Sequence, residues 1–209
     1  MKYGLECEFF VAKQGTPETV KSVFEKETGF ILIGGLPNQL TPDECGFLAE
    51  ARGSAENGIR DAVFSLKADI YRLQQEAKKL SLTLIKEPLL DVRREEIIKS
   101  RRAFSKGVIS YQNMYGYGEH RNKNKKTAGI HISFTSPKSV YGVDGKLVSV
   151  ENVMFDFIQI VRKLDAAFAA EIKSAGRFPG FYELKGDGRI EYRSLPNNVD
   201  LYKIIEVLS

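Results

Sequence analysis

Four short segments carry acids, a histidine and arginines at every second position. Residues 3–11 put Glu6 and Glu8 on the side opposite Leu5, Cys7 and Phe9. Residues 47–52 put Glu50 with Arg52 and Leu48, opposite Phe47, Ala49 and Ala51. Residues 129–134 put His131 with Gly129 and Ser133, opposite Ile130, Ile132 and Phe134. Residues 189–195 put Glu191 with Arg189, Arg193 and Leu195, opposite Ile190 and Tyr192. Alternation of this kind is the period of a strand with one buried face. A solvated sheet face alternates too, but such faces usually mix Lys, Thr and Gln. Here the acids, one of two histidines and two arginines fall at strand centres.

Clustered carboxylates repel one another unless cations sit among them. Side chains at i and i+2 of a strand are about 7 Å apart, too far for one Mg²⁺ and suited to two ions about 4 Å apart. Carboxylates with one imidazole favour Mg²⁺ or Mn²⁺. Zinc fits less well, because Cys7 falls on the apolar side. An arginine beside such acids, Arg193, suits a transferring phosphoryl group, whose charge its fork neutralises. The chain contains neither a GxxxxGK[ST] loop nor a GxGxxG loop after a strand, so metals and arginines would have to hold any phosphates.

These strands need a scaffold. Ile59, Val63, Leu66, Ile70, Leu73, Ala77 and Leu80 recur at helical spacing and predict a helix over 55–81, with Ser54 as its cap. Val153, Phe157, Ile160, Val161, Leu164, Phe168 and Ile172 predict a second over 150–174. Residues 28–46 read as a short strand, 30–33, and a turn-rich loop. Gly186-Asp187-Gly188 predicts a hairpin joining 181–185 to 189–195. Residues 198–208 predict a short helix capped by Asn197 or Asn198. The order gives an α+β fold, with a mostly antiparallel sheet whose apolar face two helices cover. Between Arg93 and Lys126 lie ten Lys or Arg and three acids, around a Tyr- and Gly-rich centre. The stretch 84–127 therefore reads as an irregular basic insertion or flap, with His120 at the surface.

The 209 residues make one domain, with 43% hydrophobic and 28% charged residues, which excludes disorder of the whole chain. No apolar run reaches membrane-spanning length, the N-terminus lacks a signal peptide's apolar core, and two cysteines make no disulfide framework; a cytoplasmic location is expected. The net charge of +4 is too weak by itself to indicate nucleic acid.

Gly4-Leu-Glu-Cys-Glu-Phe-Phe, Asp43-Glu-Cys-Gly-Phe-Leu-Ala-Glu-Ala-Arg, Ala128-Gly-Ile-His-Ile-Ser-Phe and Arg189-Ile-Glu-Tyr-Arg-Ser-Leu-Pro, in this order, resemble the carboxylate–amine ligases of the glutamine synthetase fold. The nearest group is the phage-type COOH–NH2 ligase type 2; glutamate–cysteine ligase and glutamine synthetase are more distant. The resemblance spans about residues 3–197. It implies a curved sheet with helices on one face and an open catalytic funnel on the other, holding ATP and Mg²⁺ (or Mn²⁺). It implies Glu8, Glu50 and either Glu44 or Asp43 at one metal, and Glu6, His131 and Glu191 at the other. Glu6, Glu191, Arg193 and Ser133 are then the expected nucleotide contacts, and Arg193 and Arg52 the expected catalytic cations. Ala51-Arg52-Gly53 departs from the group's usual Phe-Asn-like pair, and Ser133 stands where a second histidine is common.

The expected activity is ATP-dependent joining of a carboxylate and an amine, small-molecule or peptide, through an acyl phosphate. Two other classes fit the residues: a two-metal phosphodiesterase or nuclease, and a non-catalytic nucleic-acid or virion-associated binding module.

Overall fold

The computed structural model describes residues 1–13, 41–42, 48–79, 81–91, 125–135, 150–185 and 189–209. Its centre is β1 (Lys2–Lys13), the strand whose alternation is longest. Along one edge β1 pairs with β3 (Leu48–Arg52). Along the other it pairs first with β7 (Gly129–Thr135) and then, through Phe10 to Lys13, with β4 (Leu82–Ile85). β2 (Thr41–Pro42) lies outside β3. Beyond β7 come β9 (Ile190–Pro196) and β8 (Tyr182–Leu184). The sheet runs β2-β3-β1-β7-β9-β8 with β4 joined to β1, and every pairing is antiparallel. A separate pair, β5 (Leu89–Asp91) with β6 (Lys125–Thr127), brackets the basic stretch.

The apolar face packs beneath helices. α1 (Ile59–Lys79) buries Ile59, Val63, Leu66, Leu73 and Ala77, and it contacts β1, β3 and β4. These residues join Leu5, Cys7, Phe9, Val11, Ile130, Ile132 and Phe134 in one core. α2 (Val150–Ala167), α3 (Ala169–Ser174) and Phe168 between them add Phe157, Val161, Leu164, Phe168 and Ile172. Burying each large apolar side chain is worth roughly 1.5–3 kcal/mol, which is what commits the odd residues of β1 to this side. α4 (Leu201–Leu208) closes the chain against α1 and α2. Gly53 permits α1 to lie close to β3: a Cβ there would come 2.8 Å from the Leu66 nitrogen. Among the described residues no helix is long and apolar enough to cross a membrane.

Several local expectations need correction. α1 starts at Ile59, so Ser54 does not cap it; the Ser54 N–H instead bonds the Ser65 hydroxyl. The helix predicted over 150–174 breaks at Phe168, whose ψ of 20° is outside the helical range. α4 is capped by Asp200, which accepts from the Tyr202 N–H, because Asn197 is buried in another role. The stretch 84–127 contains the pair β5 and β6 as well as the end of β4, so it is not irregular throughout. The strand predicted at 30–33, and most of the basic stretch with His120, lie outside the described residues.

Candidate functional site

Even-numbered residues of β1 and their cross-strand partners share the polar face. Register sets Glu6 between Arg52 of β3 and His131 of β7, and Glu8 opposite Glu50. Ser133 stands between Gly4 and Glu191. Glu6, Glu8, Glu50, His131, Ser133 and Glu191 are thus brought to one face. Glu44 and Asp43 lie outside the described residues.

β9 departs from simple alternation. Ile130 pairs with Leu195, yet Ile132 pairs with Tyr192, so Arg193 and Ser194 together oppose His131. One extra residue reverses the facing of everything beyond it. Glu191 stays on the polar side, whereas Leu195 turns into the core and is fully buried. The expectation that Leu195 shares a face with Glu191 and Arg193 is therefore corrected by this bulge.

Arg177 holds the bulge. Its Nε donates to the Ser194 carbonyl at 3.1 Å and its Nη2 to the Arg193 carbonyl. The Phe181 N–H adds a 2.9 Å bond to the Ser194 hydroxyl, and the Arg193 N–H bonds the Phe181 carbonyl at 2.8 Å. The guanidinium lies where Gly129 has no side chain. A Cβ at Gly129 would stand 2.7 Å from Arg177 Nη2 and 2.9 Å from the Leu195 carbonyl oxygen. Gly129→Ala should therefore cost about 1–3 kcal/mol, as overpacking of a rigid site does, read as a lower urea midpoint with an unchanged slope.

Glu8 is fixed from both ends. Its Oε2 accepts the Gly129 N–H at 2.7 Å, and its carbonyl accepts from Asn197 Nδ2 at 3.0 Å. Its Oε1 lies 3.7 Å from His131 Nε2. The other ring nitrogen, Nδ1, lies 3.6 Å from Glu6 Oε2 and 3.7 Å from Glu191 Oε1. His131 is only 3% exposed. The imidazole therefore has one nitrogen toward Glu6 and Glu191 and the other toward a carboxylate that can orient the ring.

Cations flank the acids. Arg52 bonds Glu50 through Nε at 2.7 Å, with the same nitrogen 3.7 Å from Glu6. Arg193 pairs with Glu191 and lies 3.3 Å from Glu183. Lys185 Nζ is 2.7 Å from Glu183 and 3.0 Å from Glu191.

Burial works against the charge on Glu6, but His131, Glu50 and Arg52 outweigh it and hold the carboxyl down at about 2. Burial, reinforced by the charge of Arg193, pushes the His131 imidazole below its ordinary value despite Glu6 and Glu191. At neutral pH Glu6 is therefore ionised and the His131 imidazole neutral. Both groups bind protons more readily unfolded than folded. Their contributions to stability are complete above the ordinary values of 6.5 and 4.5 and are lost as pH falls toward the folded ones. In EDTA, unfolding free energy should decline from about pH 6.5 downward, by up to about 1.4 kcal/mol per unit for each group. Denaturant titrations at pH 7.5, 6 and 5 check this, and His131→Gln should flatten the upper part of the curve.

One ligand atom each from Glu6, His131 and Glu191 lies within 4.8 Å of the other two. An octahedral Mg²⁺ with bonds of about 2.1 Å places opposite ligands about 4.2 Å apart, close to that span. Two hard carboxylates with one imidazole suit Mg²⁺ or Mn²⁺. Cys7 is on the core face, and burial pushes its thiol up, so it supplies no thiolate here.

No family model matches this chain, and no curated protein matches it in sequence. The site must be read from its own chemistry.

Four contributors escaped the sequence reading: Glu183, Lys185, Arg177 and Asn197. Glu183 and Lys185 had a usable signal, since the hairpin puts Glu183 directly opposite Glu191. Arg177 and Asn197 had none, because both lie outside strands and act through backbone carbonyls distant in sequence.

Proposed function

We propose that the polar face is the active site of an ATP-dependent carboxylate–amine ligase, forming an amide or peptide bond through an acyl phosphate. The observation that carries this reading is His131, with Nδ1 toward Glu6 and Glu191 and Arg193 beside Glu191. The antiparallel sheet, helix-covered on its other side, supports a glutamine synthetase-like fold, as does the order of the four motifs.

Glu6, His131 and Glu191 would hold one Mg²⁺; Glu8 and Glu50, with an acid from residues 43–44, would hold another. Bound there, the ions would neutralise the triphosphate and the charge that develops in phosphoryl transfer. Arg193, anchored at its carbonyl by Arg177, presents its fork beside Glu191, where a transferring phosphoryl group gains most from an oriented cation. Arg52 neutralises Glu50 and reaches Glu6, which keeps the acids of β1 and β3 compatible at close range. Ser133, beside Glu191, offers a hydroxyl to the nucleotide. The substrates are then a small-molecule or peptide carboxylate and an amine, and the site of action is expected to be cytoplasmic.

The test is release of ADP and phosphate from ATP and Mg²⁺ in the presence of pooled amino acids, dicarboxylates and peptides. The reading expects release that depends on both a carboxylate and an amine. Metal-dependent cleavage of RNA or DNA without ATP would replace it with a phosphodiesterase.

A further inference from the structure

Lys185 and Arg193 each contact the same two acids, Glu183 and Glu191. The four side chains are all at least three-quarters shielded from solvent. A divalent cation ligated by Glu191 would have to share its two oxygens with these cations. Its Oε1 faces His131 and Arg193 while its Oε2 faces Lys185 at 3.0 Å. A dication on Glu191 places like charge beside the Lys185 ammonium, which a flexible four-carbon stem allows to move. Glu183 does not belong to the Glu6–His131–Glu191 group, so it remains to hold the ammonium nearby at 2.7 Å.

We infer that Lys185 is a resident counter-cation, seated on Glu191 until a divalent metal displaces it and then available to a phosphate-bearing ligand next to that metal. This rests on the reading that Glu6, His131 and Glu191 take a divalent cation. The lysine then competes with metal when no anion is present and assists the anion once metal is bound. Metal and polyphosphate therefore bind with positive coupling, part of which passes through one ammonium. Coupling free energies between sites commonly correspond to about 5–150-fold in affinity. Glu183 is the positioning residue that keeps the ammonium within reach during the exchange.

The experiment is calorimetric titration of the full chain with Mn²⁺ alone, then of the Mn²⁺-saturated protein with the manganese complex of inorganic tripolyphosphate. Wild type is compared with Lys185→Met and Lys185→Arg. Lys185→Met is expected to bind Mn²⁺ about tenfold more tightly and the tripolyphosphate complex about tenfold more weakly. Lys185→Arg keeps the charge and should move both affinities back part of the way toward wild type. Opposite movement of the two affinities is not what simple loss of structure produces. Unchanged affinities in Lys185→Met, beside a wild type that binds Mn²⁺, would overturn the role of Lys185 alone. A wild type that takes up no Mn²⁺ would overturn the metal reading and this inference with it.

Discussion

Glu191→Gln should weaken Mn²⁺ binding by at least about 100-fold. Groups that merely orient a metal's ligands typically cost 10–100-fold when removed, and Glu191 is argued to be a ligand itself. It stands in the one group of three, among the described residues, whose donor atoms converge closely enough for a single ion. Loss of its charge also leaves Arg193 and Lys185 with less compensation, so the local field turns against a cation. The glutamine keeps size and shape, and Glu183 still holds both cations, so the fold should survive. Titration followed by manganese electron paramagnetic resonance reads the affinity, and circular dichroism confirms folding. Retention of wild-type affinity would remove Glu191 from the ligand set.

The second large effect is at Arg193. Arg193→Ala should lower turnover by about 10²–10³ while changing nucleotide affinity far less. The reason is that an oriented donor acts most strongly on charge that exists only during transfer. Arg193 is well placed for this: its backbone is pinned at the bulge through its N–H to Phe181 and its carbonyl to Arg177. Arg193→Lys should rescue only part of the loss, since a point charge does not reproduce the fork. Steady-state kinetics separate the two effects. A fall in affinity that matches the fall in turnover would assign Arg193 to ground-state binding.

The polar face was legible where alternation ran without interruption. Glu6, Glu8, Glu50 and His131 could be aligned because β1, β3 and β7 keep strict period-two pairing across the residues concerned. The helices over the opposite face were legible for the matching reason, since their apolar stripes have nowhere else to pack. The β9 bulge was not legible. No glycine marks it, and the contacts that stabilise it come from Arg177 and Phe181, residues outside β9. Leu195 was misplaced as a result. β4 was overlooked because Leu82–Ile85 is four residues long and pairs only with the far end of β1. The internal cations were partly overlooked too. The sequence reading placed Arg52 and Arg193 among the acids but assigned them to the transferring phosphoryl group and missed Lys185, whereas all three already neutralise much of the face. That neutralisation explains how the protein folds with these acids together, and under the proposed function metal binding would be an exchange of cations.

The most direct test is calorimetric titration of the protein with ATP, once in Mg²⁺ and once in EDTA. The sequence has neither a GxxxxGK[ST] nor a GxGxxG phosphate loop, so on the proposed reading the triphosphate would depend on cations held by Glu6, His131 and Glu191. Saturable one-site binding in Mg²⁺ that disappears in EDTA is the predicted result. Equal ATP binding with and without the metal, or no ATP binding in either, would contradict the assignment of this face as a metal-dependent nucleotide site.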